Sequence, residues 1–287
     1  MPIVTTVHTI LGEPDSMQRR AMNEIARLSR RLVVMSAHGA ALLHNVHGVP
    51  EHKIDIIPHG IPGVPFASSK KELGIEGKSV ILTFGLLSPD KGIEHVIDAL
   101  PAILARYPDT VSVVLGATHP HIKERYGESY RESLERRAQG LGVESSMIFH
   151  NRFVSRGELV KFLSAADIYI TPYLNPEQST SGTLAYAVGS GKAVISTPYL
   201  YARELLADGR GVLVPWKDSQ TIARAVVDLL SDDAKRLALC ARAAAHGRSM
   251  VWPAVARCYV QSFERARSQR RSGPRVSRAL DVDARHV

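Results

Sequence analysis

Nine short apolar runs, interleaved with longer amphipathic ones, are the strongest constraint on what this chain can fold into. They are IVTTVH (3–8), RLVVM (31–35), KIDII (53–57), VILTF (80–84), VSVVLGA (111–117), SMIFH (146–150), DIYIT (167–171), AVIST (193–197) and GVLVP (211–215). Most are continuously apolar instead of alternating, as in strands covered on both faces. The stretches between them, such as SMQRRAMNEIARLSR, KGIEHVIDALPAILARY, YRESLERRAQGLG, RGELVKFLSAA, GTLAYAVGSG and SQTIARAVVDLLS, carry a helical period. Strand and helix in alternation build a doubly wound parallel sheet, so the predicted class is α/β. One segment breaks the pattern: PHGIPGVPFASS (58–69) is rich in Pro, Gly and Ser and reads as an interdomain linker. Six strand candidates follow it, within residues 70–250, enough for a complete open sheet. Three precede it, within residues 1–57, so this part is expected to be half a domain with an uncovered sheet edge and poor order.

Composition narrows the setting. No apolar run approaches the roughly 20 residues that span a bilayer. The opening MPIVTTVHTILGEPDS has neither the basic region nor the small-residue cleavage site of a secretory leader. Cys240 and Cys258 form no disulfide framework and no zinc spacing, which points to a reducing, cytoplasmic setting. The net charge is 36 − 28 = +8, and residues 265–287 hold seven Arg against two Asp, so +5 of it sits at the C-terminus. Residues 267–287 are therefore read as a basic, disordered tail, solvated or touching acidic lipid head groups at the inner membrane face, with no specific nucleic-acid partner. Its DVD offers a metal no fixed geometry.

Two stretches carry chemistry. In FGLLSPDKGIEHVIDAL a strand ends at Gly85, and Lys91-Gly92 opens a helix, a plausible βα turn for a diphosphate, although a lone lysine is ordinarily just solvated. In PEQSTSGTLAYAVGSGKAVIST small residues precede an apolar helix. They either cap it or let an anion approach its N–H groups. GSGKAV completes neither a dinucleotide fingerprint nor a Walker loop, which argues against a nicotinamide dehydrogenase and a P-loop ATPase. The HPH at 119–121, with His44 and His47, is read as structural or solvated.

Taken in order, VTTVHT, IIPHGI, FGLLSPDKG, MIFHNRFVSRGEL, the 176–197 stretch and ELLADGRGVLV resemble the retaining enzymes of glycosyltransferase family 4. The resemblance runs from residue 3 to about residue 266, where WPAVARCYVQSFERA (252–266) is similar to the helix that crosses back to the first domain. It implies a GT-B architecture: a complete C-terminal Rossmann-like sheet in residues 70–250 and the second half of an N-terminal, acceptor-side domain in residues 1–57. Residues 251–266 would form the crossing helix. It further implies transfer from a nucleotide-diphosphate sugar to an acceptor (saccharide, lipid or small molecule), with retention and without cofactor or metal. Lys91 would neutralise the departing diphosphate beside Gly85. Arg152, Phe153 and Val154 would bracket the base, and Glu177 or Gln178 would hold the sugar. Ser181, Gly182 and Thr183 would offer N–H groups to the phosphates, and His8 would reach the sugar from across the cleft. His59 and Gly60 would form the hinge. Outside that resemblance His8 reads equally as a core histidine.

Two departures stand out. Leu86 replaces an arginine of the family pattern, and Ala185 stands where a second glutamate would pair with Glu177, or Tyr186 if the pair is counted from Gln178. The alternative function is therefore a non-catalytic nucleotide-sugar binder acting through partners. Gly182→Val is expected to abolish nucleotide binding at little change in melting temperature.

Overall fold

A computed structural model describes residues 1–63 and 69–268 and divides their strands between two parallel sheets. In the first, β1 (Val4–Thr6) leads through helix α1 (Ser16–Leu28) to β2 (Arg31–Val34), and α2 (Ala37–His47) leads to β3 (Ile54–Ile56). The order is β1-β2-β3. The second sheet begins with β4 (Ser79–Phe84), α3 (Ile93–Leu104), β5 (Thr110–Leu115), α4 (Pro120–Tyr126), α5 (Ser129–Gly140) and β6 (Met147–His150). It continues with α6 (Arg156–Ala165), β7 (Ile168–Thr171), α7 (Gly182–Gly189), β8 (Ala193–Ser196), α8 (Leu200–Leu205) and β9 (Val212–Leu213). Helices α9 (Ser219–Ser231), α10 (Asp233–Gly247) and α11 (Trp252–Ser268) complete the chain as described.

All nine apolar runs hold strands. Seven are shortened by a residue or more, β4 covers its whole run and begins one residue earlier, and β5 begins one residue earlier and ends two residues sooner. The six-stranded order β6-β5-β4-β7-β8-β9 puts the turning point at β4, whose neighbours β5 and β7 lie on opposite sides. A crevice opens at such a point, beyond the C-terminal strand ends. Successive β4 side chains face opposite cores, as strand geometry requires. Leu82 packs with Phe162, Leu184 and Val188 on the α6–α7 side, and Ile81 packs with Val96, Leu100 and Val226 on the α3–α9 side. Fully burying each such aliphatic side chain contributes about 1.5–3 kcal/mol.

Helix α11 returns to the first sheet. Val255 is buried with Val33 and Ile57, with Cys258 and Tyr259 packed around them. Beside this contact lies a cluster of charge: Asp55 on β3 accepts bonds from Arg31 Nε (2.8 Å), Ser262 Oγ (2.6 Å) and Arg265 Nη2 (2.7 Å). At the other end of the sheet the Glu204 carboxylate of α8 accepts the N–H groups of Ala37 and His38 at the start of α2, at 2.7 and 3.0 Å. Residues 1–57, expected to be poorly ordered, are thus packed on both α11 and α8.

The linker is more structured than its composition suggested. Ile61 is 1% exposed and pairs in parallel with Val251, its N–H bonding Met250 O (2.9 Å) and its carbonyl taking Trp252 N–H (3.0 Å). A single bridge of this kind leaves no periodic signal. Residues 64–68 of the linker and 269–287 of the tail, with the membrane contact assigned to it, lie outside the described residues, while 267 and 268 belong to α11.

Candidate nucleotide-sugar site

The crevice at the end of β4 holds two adjoining clefts that share Gly85 and Leu86. The larger, about 450 Å³, is lined by Ser88, Asp90, Lys91, His119, His121, Tyr173 and Thr183 among others. The smaller, about 170 Å³, is lined by Leu115, Gly116, Arg152, Phe153, Val154 and Leu159 among others.

In the larger cleft Lys91 ends a short 3-10 turn (Pro89–Lys91), and α3 starts only after Gly92. Its Nζ stands 4.0 Å from the centre of the Tyr173 ring and 3.5 Å from Asp90 Oδ2. A cation over an aromatic face is attracted by the ring's quadrupole, which helps hold it in place. Tyr173 is itself fixed, stacked on Tyr199 at 5.4 Å and bonded through its hydroxyl to Thr183 Oγ1 (2.8 Å).

Helix α7 begins at the same wall. Ser181 is its N-cap: its Oγ accepts Leu184 N–H (3.2 Å), and its carbonyl accepts Ala185 N–H (3.0 Å). The capping role of these small residues therefore falls to Ser181, which is only 4% exposed. Gly182 and Thr183 keep N–H groups with no intrahelical acceptor, as at any helix start. A Cβ on Gly182 would stand 3.1 Å from His59 Nε2, so Gly182→Val would press on the hinge as well as on any anion. Burial, partly offset by a bond to Gly60 O, holds the His59 imidazole below its usual pKa, and nearby His8 adds to the effect.

The smaller cleft is mostly apolar. Phe153 is 72% exposed at its lip, an uncommon position for a large ring. The Arg152 side chain is engaged by Glu158 (2.7 Å), and this bond, with those from Ser155, holds the Glu158 carboxyl down to about 2. Arg152 therefore presents backbone to the cleft more readily than charge.

The floor between the clefts depends on Gly116. Its φ is +145°, and an added Cβ would lie 2.0 Å from Gly85 O. Gly116→Ala combines backbone strain of about 1–3 kcal/mol with a collision that must displace Gly85. Both a lowered urea midpoint and lost nucleotide affinity are expected; unchanged affinity would show that Gly85 does not form the floor.

Other candidates stand apart from both clefts. His8 is exposed just past β1, its carbonyl 3.5 Å from Ser179 Oγ. Glu177 is exposed, with Oε2 3.2 Å from where a Gly12 Cβ would be, so the 177–181 loop faces the 8–12 segment of the first sheet. The Gln178 amide is spent on Thr180 O (3.1 Å). Sequence reasoning passed over His119, His121 and Tyr173. HPH has the look of a solvated turn, and only the strand order brings it opposite Lys91. No group of three or more His, Cys, Asp or Glu among the described residues is placed to hold a metal ion.

Comparison with known proteins places this geometry. Residues 66–247 match the family "Glycosyl transferases group 1", and residues 1–62 match "Glycosyltransferase Family 4". The chain belongs to the group 1 glycosyltransferases. It is 28% identical over 272 residues to the phosphatidyl-myo-inositol mannosyltransferase of Mycolicibacterium smegmatis, a match covering 92% of this chain and 65% of that one. It is also 28% identical over 278 residues to the D-inositol 3-phosphate glycosyltransferase of Corynebacterium glutamicum, covering 89% of this chain and 65% of the relative. The chain thus spans about two thirds of the length of these curated relatives. Among solved structures, Anabaena HepE in complex with UDP and glucose superposes with a TM-score of 0.76 at 22% identity, over 93% of this chain and 72% of that one. The lipopolysaccharide glycosyltransferase WaaG gives 0.65 at 18%, over 92% and 75%. The fold of this group 1 member is accordingly of the GT-B type.

Proposed function

We propose that the chain transfers a sugar from a nucleotide-diphosphate sugar, with retention and without a metal ion. The observation that carries this reading is the pair of clefts joined at Gly85 and Leu86: one offers a cation and free N–H groups, the other an apolar slot with an exposed ring. That is the shape and polarity of a diphosphate joined to a nucleoside. When the bond from the sugar's anomeric carbon to the phosphate oxygen breaks, the electron pair leaves with the diphosphate. Lys91 and Thr183, which line the larger cleft, and the neighbouring Gly182 N–H are the groups proposed to offset that charge, and such fixed electrostatic stabilisation is often the largest catalytic contribution. A metal is unnecessary where a lysine and a helix start serve. His8 and Glu177, on facing walls, are the residues proposed to meet the sugar.

The names of the relatives support an inositol phosphate, free or lipid-carried, as the acceptor class. A cytoplasmic site of action fits a nucleotide-sugar donor, and among the described residues no helix is long and apolar enough to cross a membrane. Calorimetry with UDP and GDP, followed by turnover of UDP- and GDP-sugars with and without inositol phosphates, tests the reading. Affinity for one nucleoside diphosphate and acceptor-dependent release of it are expected; no binding to either would overturn the proposal.

One observation favours a second reading. Ala185, at the place of a second glutamate, is fully buried inside α7, so the chain has no carboxylate there. Tight binding without turnover would identify a non-catalytic binder.

A further inference from the structure

The larger cleft is short of positive charge for the ligand proposed above. A diphosphate diester carries two negative charges. Lys91 supplies one positive charge, and Asp90, whose Oδ2 lies 3.5 Å from its Nζ, also lines the cleft and offsets part of it. The other lining residues able to carry positive charge are His119 and His121, which follow β5 and begin α4.

Their local geometry divides the work. His119 Nδ1 accepts the backbone N–H of His121 at 3.3 Å, which leaves its proton on Nε2 as a donor. His121 has no such commitment: its side chain is 83% exposed, and Nδ1 lies 3.9 Å from Glu124 Oε2. The rings lie 5.5 Å apart, close enough to meet one diphosphate together. The other charges near by are Lys123, paired with Glu128 at 3.0 Å, and the Asp90–Lys91 pair opposite.

We propose that His119 and His121 form the second, proton-dependent grip on the donor diphosphate, facing Lys91, with His121 as the titrating cation and His119 as a neutral donor. This inference rests on the donor reading above. Histidine changes charge between pH 5 and 8, so the donor is held more tightly as pH falls through that range.

The test uses UDP-glucose and GDP-mannose as probes, because a sugar diester lacks the terminal phosphate ionisation near pH 6 that would confound free UDP or GDP. Affinity is measured at pH 8.0 and 5.5 for the wild type, His121→Gln, His119→Gln/His121→Gln and Lys91→Met, with melting temperature as a check on folding. The wild type is expected to bind about tenfold more tightly at pH 5.5, as one gained charge-assisted hydrogen bond allows. Both histidine variants should lose that ratio. The double variant should also bind more weakly at pH 8.0, where His119 alone donates. Lys91→Met should bind weakly at both pH values yet keep the ratio. A wild-type ratio near one, or a double variant that keeps the wild-type ratio, overturns the inference while Lys91-dependent binding leaves the donor reading standing. A folded wild type that binds neither probe at either pH overturns both.

Discussion

Replacing Asp55 by alanine is expected to destabilise the protein by about 3–5 kcal/mol, the usual penalty for leaving a buried charge without its partner. Arg31 is that charge: its side chain and that of Asp55 are each 7% exposed. Asp55 also takes the Ser262 hydroxyl and Arg265 from α11, so its loss frees the helix that crosses back to the first sheet. Urea unfolding should show a much lower midpoint. Limited proteolysis should then cut within α11 before the six-stranded sheet opens. Arg265 is 47% exposed, so Arg265→Ala should change stability by less than about 1 kcal/mol, as exposed ion pairs do. A loss below about 1 kcal/mol in Asp55→Ala would show that the cluster merely fills space.

The same carboxylate gives a pH dependence whose sign is fixed. Burial alone would raise the Asp55 pKa, but the bonds from Arg31 and Ser262 and the charges of Arg31 and Arg265 outweigh it and hold the group below the usual value. A carboxyl lowered on folding adds stability that is complete above its unfolded pKa of about 3.9 and is lost as pH falls through the folded one. Acid unfolding should therefore begin below about pH 4 in the wild type, and Asp55→Asn should flatten that limb of the profile.

The strands were legible because parallel strands buried on both faces are continuously apolar, and Ile81 and Leu82 show both faces in use. Helices α4 and α8, of 7 and 6 residues, escaped because neither completes the two turns that make a stripe visible. Lys91, Gly85, Thr183, Arg152, Phe153 and Val154 were legible through their motifs, and the fold collects them around one crevice. The Asp55–Ser262 bond joins residues 207 apart, which no local pattern marks. His119 and His121 escaped for a related reason, since their neighbours Lys91 and Thr183 arrive from other strands. Ser181 shows the opposite limit: its motif was plain, but only the structure shows its Oγ accepting Leu184 N–H as a cap.

Replacing Lys91 by methionine is expected to weaken nucleoside-diphosphate binding by about 1.5–3 kcal/mol, the range for a hydrogen bond to a charged group. If the chain turns over its donor, the rate should fall further, by about 10²–10³, because the leaving diphosphate gathers charge only as the sugar departs. Methionine suits the test since it keeps an unbranched apolar stem over the Tyr173 ring while removing the ammonium group. The fold should barely notice. The protein partners of Lys91 Nζ are Asp90 at 3.5 Å and that ring, and a pair of this kind contributes no more than about 1 kcal/mol. Melting temperature and affinity therefore separate cleanly: an unchanged melting curve with lost affinity places Lys91 on the ligand. Unchanged affinity for both UDP and GDP would remove Lys91 from the site. With Asp90 then the remaining fixed charge in the cleft, the diphosphate would have to bind elsewhere.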